Sequence, residues 1–353
     1  MSLRIAIVGA GAVGGYLGAH MVRDGADVIL VDAWPEHVEA MRRDGLTIQG
    51  MPPEETFTVR PRALHIGDVQ SLIKEPPIDI AIVATKSYDT TWATALILPY
   101  LAPDGYVVSA QNAINEERIA AVAGWGRTVG CMLVNTFAME LIAPGLVQRN
   151  MLRRKDLPGI ELGEIHGRIT PRLERLAGLL ASSDKVHTTS NLWGVRWTKL
   201  CVNGMRNAVS ASTGLGGNAR DGHPKIRQVV IRLCGEAVRV GQAHGYALEK
   251  IVGLDAYLFA RASEGDREAS AELERAMNQW SSGGDRSNKQ RPSMAQDIAK
   301  GRRTEIDALN GFIADKGDDI GVAAPTHRAL VSIMRDVEAG RLTPRPENLF
   351  HLA

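Results

Sequence analysis

With 353 residues, 44% of them apolar and 23% charged, the chain has the composition of an ordinary globular protein and length for two domains. A formal net charge of +1 gives no electrostatic reason to bind nucleic acid or an acidic membrane surface. Three scattered cysteines (Cys131, Cys201, Cys234) and no apolar run near eighteen residues argue against a disulfide framework, a metal site and a membrane span, so a cytoplasmic protein is expected.

The chain opens with a β-branched apolar run, Leu3–Val8, and then Gly9-Ala-Gly11-Ala-Val-Gly14. Gly15–Arg23 reads as a helix, Asp27–Val31 as a second strand, and Asp32 follows it, eighteen residues past Gly14. A GxGxxG is weak alone. Set between a strand and a helix, with an acid ending the next strand, it is a dinucleotide-binding fingerprint. Gly9 permits the tight turn, Gly11 lets backbone approach a pyrophosphate, and Gly14 lets helix and strand pack closely. The free N–H groups at the helix start attract the phosphates.

Asp32 suits the ribose hydroxyls of NAD. NADP would bring a phosphate of charge about −1.5 to −2 against it. Like charges about 4 Å apart repel by roughly 1 kcal/mol in water and about 4 at an effective dielectric of 20. Arg4, Arg42 and Arg43 are near in sequence but not evidently placed to reverse this. The cofactor is read as NAD(P)H, with NAD(H) favoured.

Pro35–Asp44 reads as a helix, and Leu46–Gly50 with Glu55–Val59 as a short hairpin. Ile78–Ala84 is a nearly continuous apolar run ending at Thr85-Lys86, as a buried parallel strand should be. Thr90–Tyr100 is a helix, Gly105–Ala110 a strand ending at Gln111-Asn112, Glu116–Ala123 a helix and Thr128–Leu133 a strand. This alternation predicts a doubly wound α/β sheet. Gly145–Arg149 and Gly159–Leu162 read as further strands, and Pro171–Ser182 as a helix.

From Leu192 the pattern turns helical: Leu192–Ser210, Pro224–His244, Gly253–Leu258, Ala269–Gln279, Met294–Lys316 and Pro325–Ala339. Ser281–Asp285 reads as a loop, Pro292 as a first helical residue, and Arg341–Ala353 as a tail. The expected architecture is a Rossmann domain over residues 1–185 and an all-α domain over residues 190–353.

Three places carry groups fit for chemistry. Lys199, Asn203 and Asn207 stand at i, i+4 and i+8, so they line one helix face. Asparagine is a poor interior helix former, and a merely solvated face would more readily take Glu, Lys or Gln. One cation and two amides can bind and polarise a carbonyl oxygen. The second place is Arg302–Phe312, where Glu305 borders an apolar stripe of Ile306, Leu309, Phe312 and Ile313; upstream, Ser293 opens a helix whose N–H groups could hold a carboxylate. The third is Lys86 and Asn112, each at the carboxyl end of a predicted parallel strand, the edge where open α/β sheets bind ligands.

With these residues assembled, the chain resembles the ketopantoate reductase (2-dehydropantoate 2-reductase) family over nearly its whole length. The likeness lies in IAIVGAGAVGGYLGA, the lysine after IDIAIVA, Gln111-Asn112, KLCVNGMRN, the serine before the last long helix, and RRTEIDALNGF. It implies hydride transfer from a nicotinamide cofactor to a 2-oxo acid on the pantothenate pathway, with no metal. Lys199 would be the catalytic lysine and Glu305 would bind the substrate hydroxyl and help fix it, opposing the fall in lysine pKa that burial causes. Asn203 and Asn207 would hold the substrate's polar groups, Ser293 its carboxylate, Asn112 would lie near nicotinamide and substrate, and Lys86 near the cofactor. A homodimer is expected.

The chain departs from the family pattern at Asp32, where biosynthetic members that use NADPH carry a basic residue, and at Ala113, where a glycine is usual. An NAD-dependent D-2-hydroxyacid dehydrogenase on the same scaffold is therefore an alternative. A non-catalytic dinucleotide sensor is another, against which Lys199, Asn203 and Glu305 together argue.

Overall fold

The computed structural model describes residues 3–134, 137–282 and 291–353. The chain divides into two compact units, Met1–Leu192 and Trp193–Ala353.

The first unit runs β1 (Arg4–Val8), α1 (Ala12–Arg23), β2 (Asp27–Asp32), α2 (Pro35–Arg43), β3 (Leu46–Gln49), β4 (Phe57–Val59), β5 (Arg62–His65), β6 (Ile78–Val83), α3 (Thr90–Ile97), β7 (Leu101–Ser109), α4 (Glu116–Ala123), β8 (Thr128–Leu133), β9 (Met139–Ala143), β10 (Leu146–Arg149), β11 (Ile160–Glu164), α5 (Pro171–Leu180) and β12 (Val186–Thr189). The main sheet has the order β12-β11-β8-β7-β6-β1-β2-β5. It is parallel from β5 through β8, and only β11 against β8 is antiparallel. With β1 near the centre and crossovers to both sides, this is the expected doubly wound Rossmann sheet.

β1 shows why its strands read as unbroken apolar runs. Ile5 and Ile7 enter the core on one face, Ala6 and Val8 the core on the other, so helices cover both sides. The second sheet, β4-β3-β10-β9, contains the expected hairpin with shorter strands.

The second unit is helical: α6 (Leu192–Thr213), α7 (Gly217–Gly222), α8 (Pro224–Ala243), α9 (Ala256–Ser263), α10 (Arg267–Ser282), α11 (Ser293–Ala299), a π-helical turn (Asp307–Gly311), α12 (Phe312–Asp319) and α13 (Pro325–Glu338). α6 and α8 lock through Trp197, whose Nε1 donates to the Ala237 carbonyl at 2.8 Å. A Cβ at Gly241 would stand 2.2 Å from that indole, so only glycine admits it.

The structure corrects several expectations. Met294–Lys316 is not one helix: α11 stops at Ala299, Gly301 turns at φ +61, and helix resumes at Asp307 in π form, with Gly311 N donating to Ile306 O at 3.0 Å. Pro292 precedes the helix, and Ser293 is its first residue. Residues 281 and 282 belong to α10, while the rest of the expected loop Ser281–Asp285 lies outside the described residues. The C-terminal stretch is docked: its 3-10 turn Pro346–Leu352 buries Leu349 and donates from Asn348 Nδ2 to Ser212 O at 3.0 Å. No helix among the described residues is long and apolar enough to cross a membrane.

Candidate active site

The glycine-rich turn is built as its spacing requires. Gly9 has φ +94, and a Cβ there would stand 2.7 Å from Thr85 N. A Cβ at Gly14 would stand 2.1 Å from Gly9 O. At Gly11 a Cβ would meet nothing within 4 Å, so this side of the turn is open. Gly11 is the N-cap of α1 and supplies no side chain to its first N–H groups. An open glycine at an uncapped helix start is a cradle that fits a pyrophosphate.

Asp32 is half-buried at the end of β2, and its Oδ1 accepts from Trp34 N at 2.9 Å. The three arginines near it in sequence are committed elsewhere. Arg42 reaches Ala63 O, Glu39 and Asp68; Arg43 pairs with Asp44; Arg4 pairs with Asp27 and Glu75.

Lys86 and Asn112 stand half-buried just past β6 and β7, which are adjacent strands. Asn112 O accepts from Asn115 Nδ2 at 2.7 Å. Ala113 has φ +65, the left-handed conformation for which glycine is favoured. The departure from glycine thus falls at a strained turn.

In the helical unit, Lys199 is half-buried on α6, and Asn203 and Asn207 on the same stripe are buried. The Lys199 ammonium is pushed down to about 8, first by desolvation and then by the Arg206 guanidinium. Glu305 is buried immediately before the π turn, where its carbonyl accepts from Ala308 N and Leu309 N at 3.0 Å. Asn310, within that turn, donates from Nδ2 to Gly204 O at 2.9 Å and so ties it to α6 beside Asn203. Ser293 is half-buried at the start of α11. Among the described residues no group of three His, Cys, Asp or Glu side chains could hold a metal.

The family model of ketopantoate reductase PanE/ApbA matches residues 5–157, and the model of the family's C-terminal domain matches residues 191–338. The chain belongs to the ketopantoate reductase family. A 2-dehydropantoate 2-reductase of Archaeoglobus fulgidus is 26% identical over 343 residues, which are 96% of this chain and 98% of that protein. One from Mesorhizobium japonicum is 26% identical over 362 residues, covering 96% and 99%. Among solved structures, the 2-dehydropantoate 2-reductase of Geobacter metallireducens GS-15 is 26% identical, with TM-score 0.75 over 95% of this chain and 99% of that one. A D-mandelate dehydrogenase solved with NADH and anilino(oxo)acetate shares the fold at TM-score 0.77 and 23% identity, over 97% and 100%.

Within this family member, sequence reasoning missed three supporting residues. His37, buried on α2, donates from Nε2 to Ala10 O at 2.9 Å and accepts at Nδ1 from Gly145 N at 2.9 Å, so it pins the glycine turn. Buried Gln111 donates to Thr85 O and to Thr90 Oγ1, both at 2.9 Å, and joins the loops carrying Lys86 and Asn112. Arg206 acts on the lysine from the next turns of α6. His37 and Gln111 act over 20 or more residues of sequence; Gln111 stands in the motif with Asn112, but no local pattern announces either residue's long-range contacts.

Proposed function

We propose that the protein reduces 2-dehydropantoate, or a close branched 2-oxo acid, to the 2-hydroxy acid, with a nicotinamide dinucleotide as cofactor and NADH preferred over NADPH. Residues 1–185 bind the dinucleotide and residues 190–353 supply the substrate and proton-transfer groups. Hydride comes from the dihydronicotinamide when the dinucleotide is bound. The reading rests most on Lys199, a half-buried ammonium pushed down to about 8 on one helix stripe with two buried asparagines.

In this reading Lys199 Nζ donates a hydrogen bond and then a proton to the carbonyl oxygen as charge builds there. Such a donor is worth most where water is scarce. Its affinity for the proton lies close enough to neutral pH for efficient general acid catalysis. Glu305 accepts from the substrate hydroxyl, Asn203 and Asn207 hold its polar groups, and Ser293 holds its carboxylate. Gly9, Gly11 and Gly14 admit the pyrophosphate, and Asp32 accepts from the ribose. Lys86 and Asn112 line the cofactor side, Asn112 also near substrate. A cytoplasmic homodimer completes the proposal.

The NADH preference is supported by Asp32 together with the engagement of Arg4, Arg42 and Arg43 by acids other than Asp32. That observation also favours a second reading, oxidation of a D-2-hydroxy acid with NAD. Loss of reduced-nicotinamide absorbance with 2-dehydropantoate, run with NADH and NADPH in parallel, tests the proposal. Turnover with NADH preferred supports it. Turnover only with NADPH removes the Asp32 argument, and no turnover with either, but activity on D-2-hydroxy acids with NAD, replaces it with the second reading.

A further inference from the structure

Asn310 is fully buried, yet it is an amide in an apolar stripe, where the neighbouring Leu309 and Ile313 are ordinary core residues. Its partners explain its presence. His327, also fully buried, faces the Leu233 carbonyl with Nε2 at 2.8 Å, so that nitrogen carries the proton. Nδ1 is then an acceptor and takes a hydrogen from Asn310 Nδ2 at 3.1 Å. The second hydrogen of Nδ2 goes to Gly204 O at 2.9 Å. His327 thus fixes which way the amide points, and the amide grips α6. Asn310 Oδ1 has no partner among the described residues.

The place gripped is also informative. Gly204 follows Asn203 and lies three residues before Asn207 and five after Lys199. A Cβ at Gly204 would stand 2.9 Å from Ile313 Cδ1 and 3.2 Å from His327 Cε1. Glycine therefore sets the closest approach of the π turn and α13 to α6. The far side is held too: Glu236 of α8 accepts from Thr326 N at 3.1 Å, from Thr326 Oγ1 at 2.6 Å and from His327 N at 3.3 Å. A π turn is a costly local irregularity that recurs at functional sites. Here it presents Asn310 to α6 while Glu305 stands just ahead of it.

We infer that Asn310 and His327 are positioning residues: through Gly204 they set the register between the α6 stripe of Lys199, Asn203 and Asn207 and the turn that carries Glu305. The inference rests on the reading that Lys199 and Glu305 serve the reaction. Neither residue need touch substrate or cofactor.

The test is steady-state kinetics on the full chain with 2-dehydropantoate and NADH, alongside NADH affinity and thermal unfolding. His327→Leu keeps the volume but breaks the relay, and Asn310→Asp removes Nδ2. Each is expected to lower kcat by about 10- to 100-fold, the scale of a misplacement of about 1 Å, with KM and NADH affinity within a few-fold. His327→Gln, which can both donate to Leu233 O and accept from Asn310, is expected to keep most of kcat. Wild-type kcat in His327→Leu overturns the inference, and so does His327→Gln falling as far as His327→Leu, since restoring the two hydrogen bonds would then restore nothing. Should Asn310→Asp fail to fold, Gly204→Ala takes its place, with the same expected fall in kcat and the same refutation. Lys199→Ala is run beside them: full turnover in that variant sinks the proposed function itself, whereas a dead Lys199→Ala with fully active His327→Leu sinks only the positioning role.

Discussion

Replacing Lys199 by methionine should remove activity and stabilise the protein. An ammonium whose pKa is about 8 in the fold and 10.5 in the unfolded chain disfavours the folded state at about 1.4 kcal/mol per decade, or about 3 kcal/mol at pH 7. The sign follows from proton counting. Below pH 8 both states hold the proton and the full cost is present. Between 8 and 10.5 the folded state has released it and the unfolded chain has not, so stability rises with pH. Above 10.5 the cost is gone. Lys199 is half-buried, so solvent screening trims the figure to about 1–3 kcal/mol. Methionine keeps the length and removes the charge. For a unit of this size that corresponds to a rise in Tm of roughly 2–10 °C at pH 7, shrinking to about a quarter of that at pH 10. Thermal unfolding of both proteins at the two pH values checks it. A Tm at pH 7 equal to or below wild type refutes the reasoning, as does a gain that does not shrink at pH 10. Turnover of Lys199→Met should fall by about 10²–10⁴-fold, the usual worth of a positioned acid.

The same group should shape the pH profile: reductive kcat/KM is expected to fall about tenfold per pH step above about 8, and a flat profile to pH 10 would exclude Lys199 as the proton donor. Asp32→Asn should raise the ratio of NADPH to NADH efficiency by about ten- to several-hundred-fold, the equivalent of roughly 1–4 kcal/mol of relieved repulsion; an unchanged ratio means the carboxylate does not face the ribose. At Ala113, with φ +65, substitution by glycine relieves about 1–2 kcal/mol of left-handed strain against about 0.5–1 of chain entropy, so stability by chemical denaturation should stay within about 1 kcal/mol. Ala113→Val should cost about 2 kcal/mol or more, because a β-branched residue is a true outlier there.

What could be read from the sequence was what local chemistry dictates. The glycine turn was legible because Gly9 and Gly14 occupy places where any side chain collides with backbone, and the β1 and β6 runs because both faces of the sheet are covered. The α6 stripe was legible because asparagine twice in a helix needs a reason. The π turn was hidden, since one extra residue per turn leaves Ile306, Leu309 and Ile313 buried at nearly helical spacing. The break before it had a single local sign, Gly301 at φ +61. β5, β9 and β12 escaped because they are edge strands of four or five residues, defined by their neighbours. The C-terminal turn escaped because Pro344 and Pro346, before and at its start, outweigh in sequence the Leu349 side chain that anchors it.

For the proton donor proposed at Lys199, electrostatics bear on direction as well as rate. Burial and Arg206 push the same way, toward the neutral amine. At about 8 the protonated form leads by about tenfold at pH 7, while the amine is still populated enough to take a proton back. One side chain can then give a proton when a 2-oxo acid is reduced and receive one when a 2-hydroxy acid is oxidised. The proton inventory therefore does not choose between the two readings of this site, and the choice falls to the shape that the substrate's side chain meets and to the ratio of oxidised to reduced dinucleotide. That is why the substrate profile, and not the lysine, must separate a 2-dehydropantoate reductase from a D-2-hydroxyacid dehydrogenase.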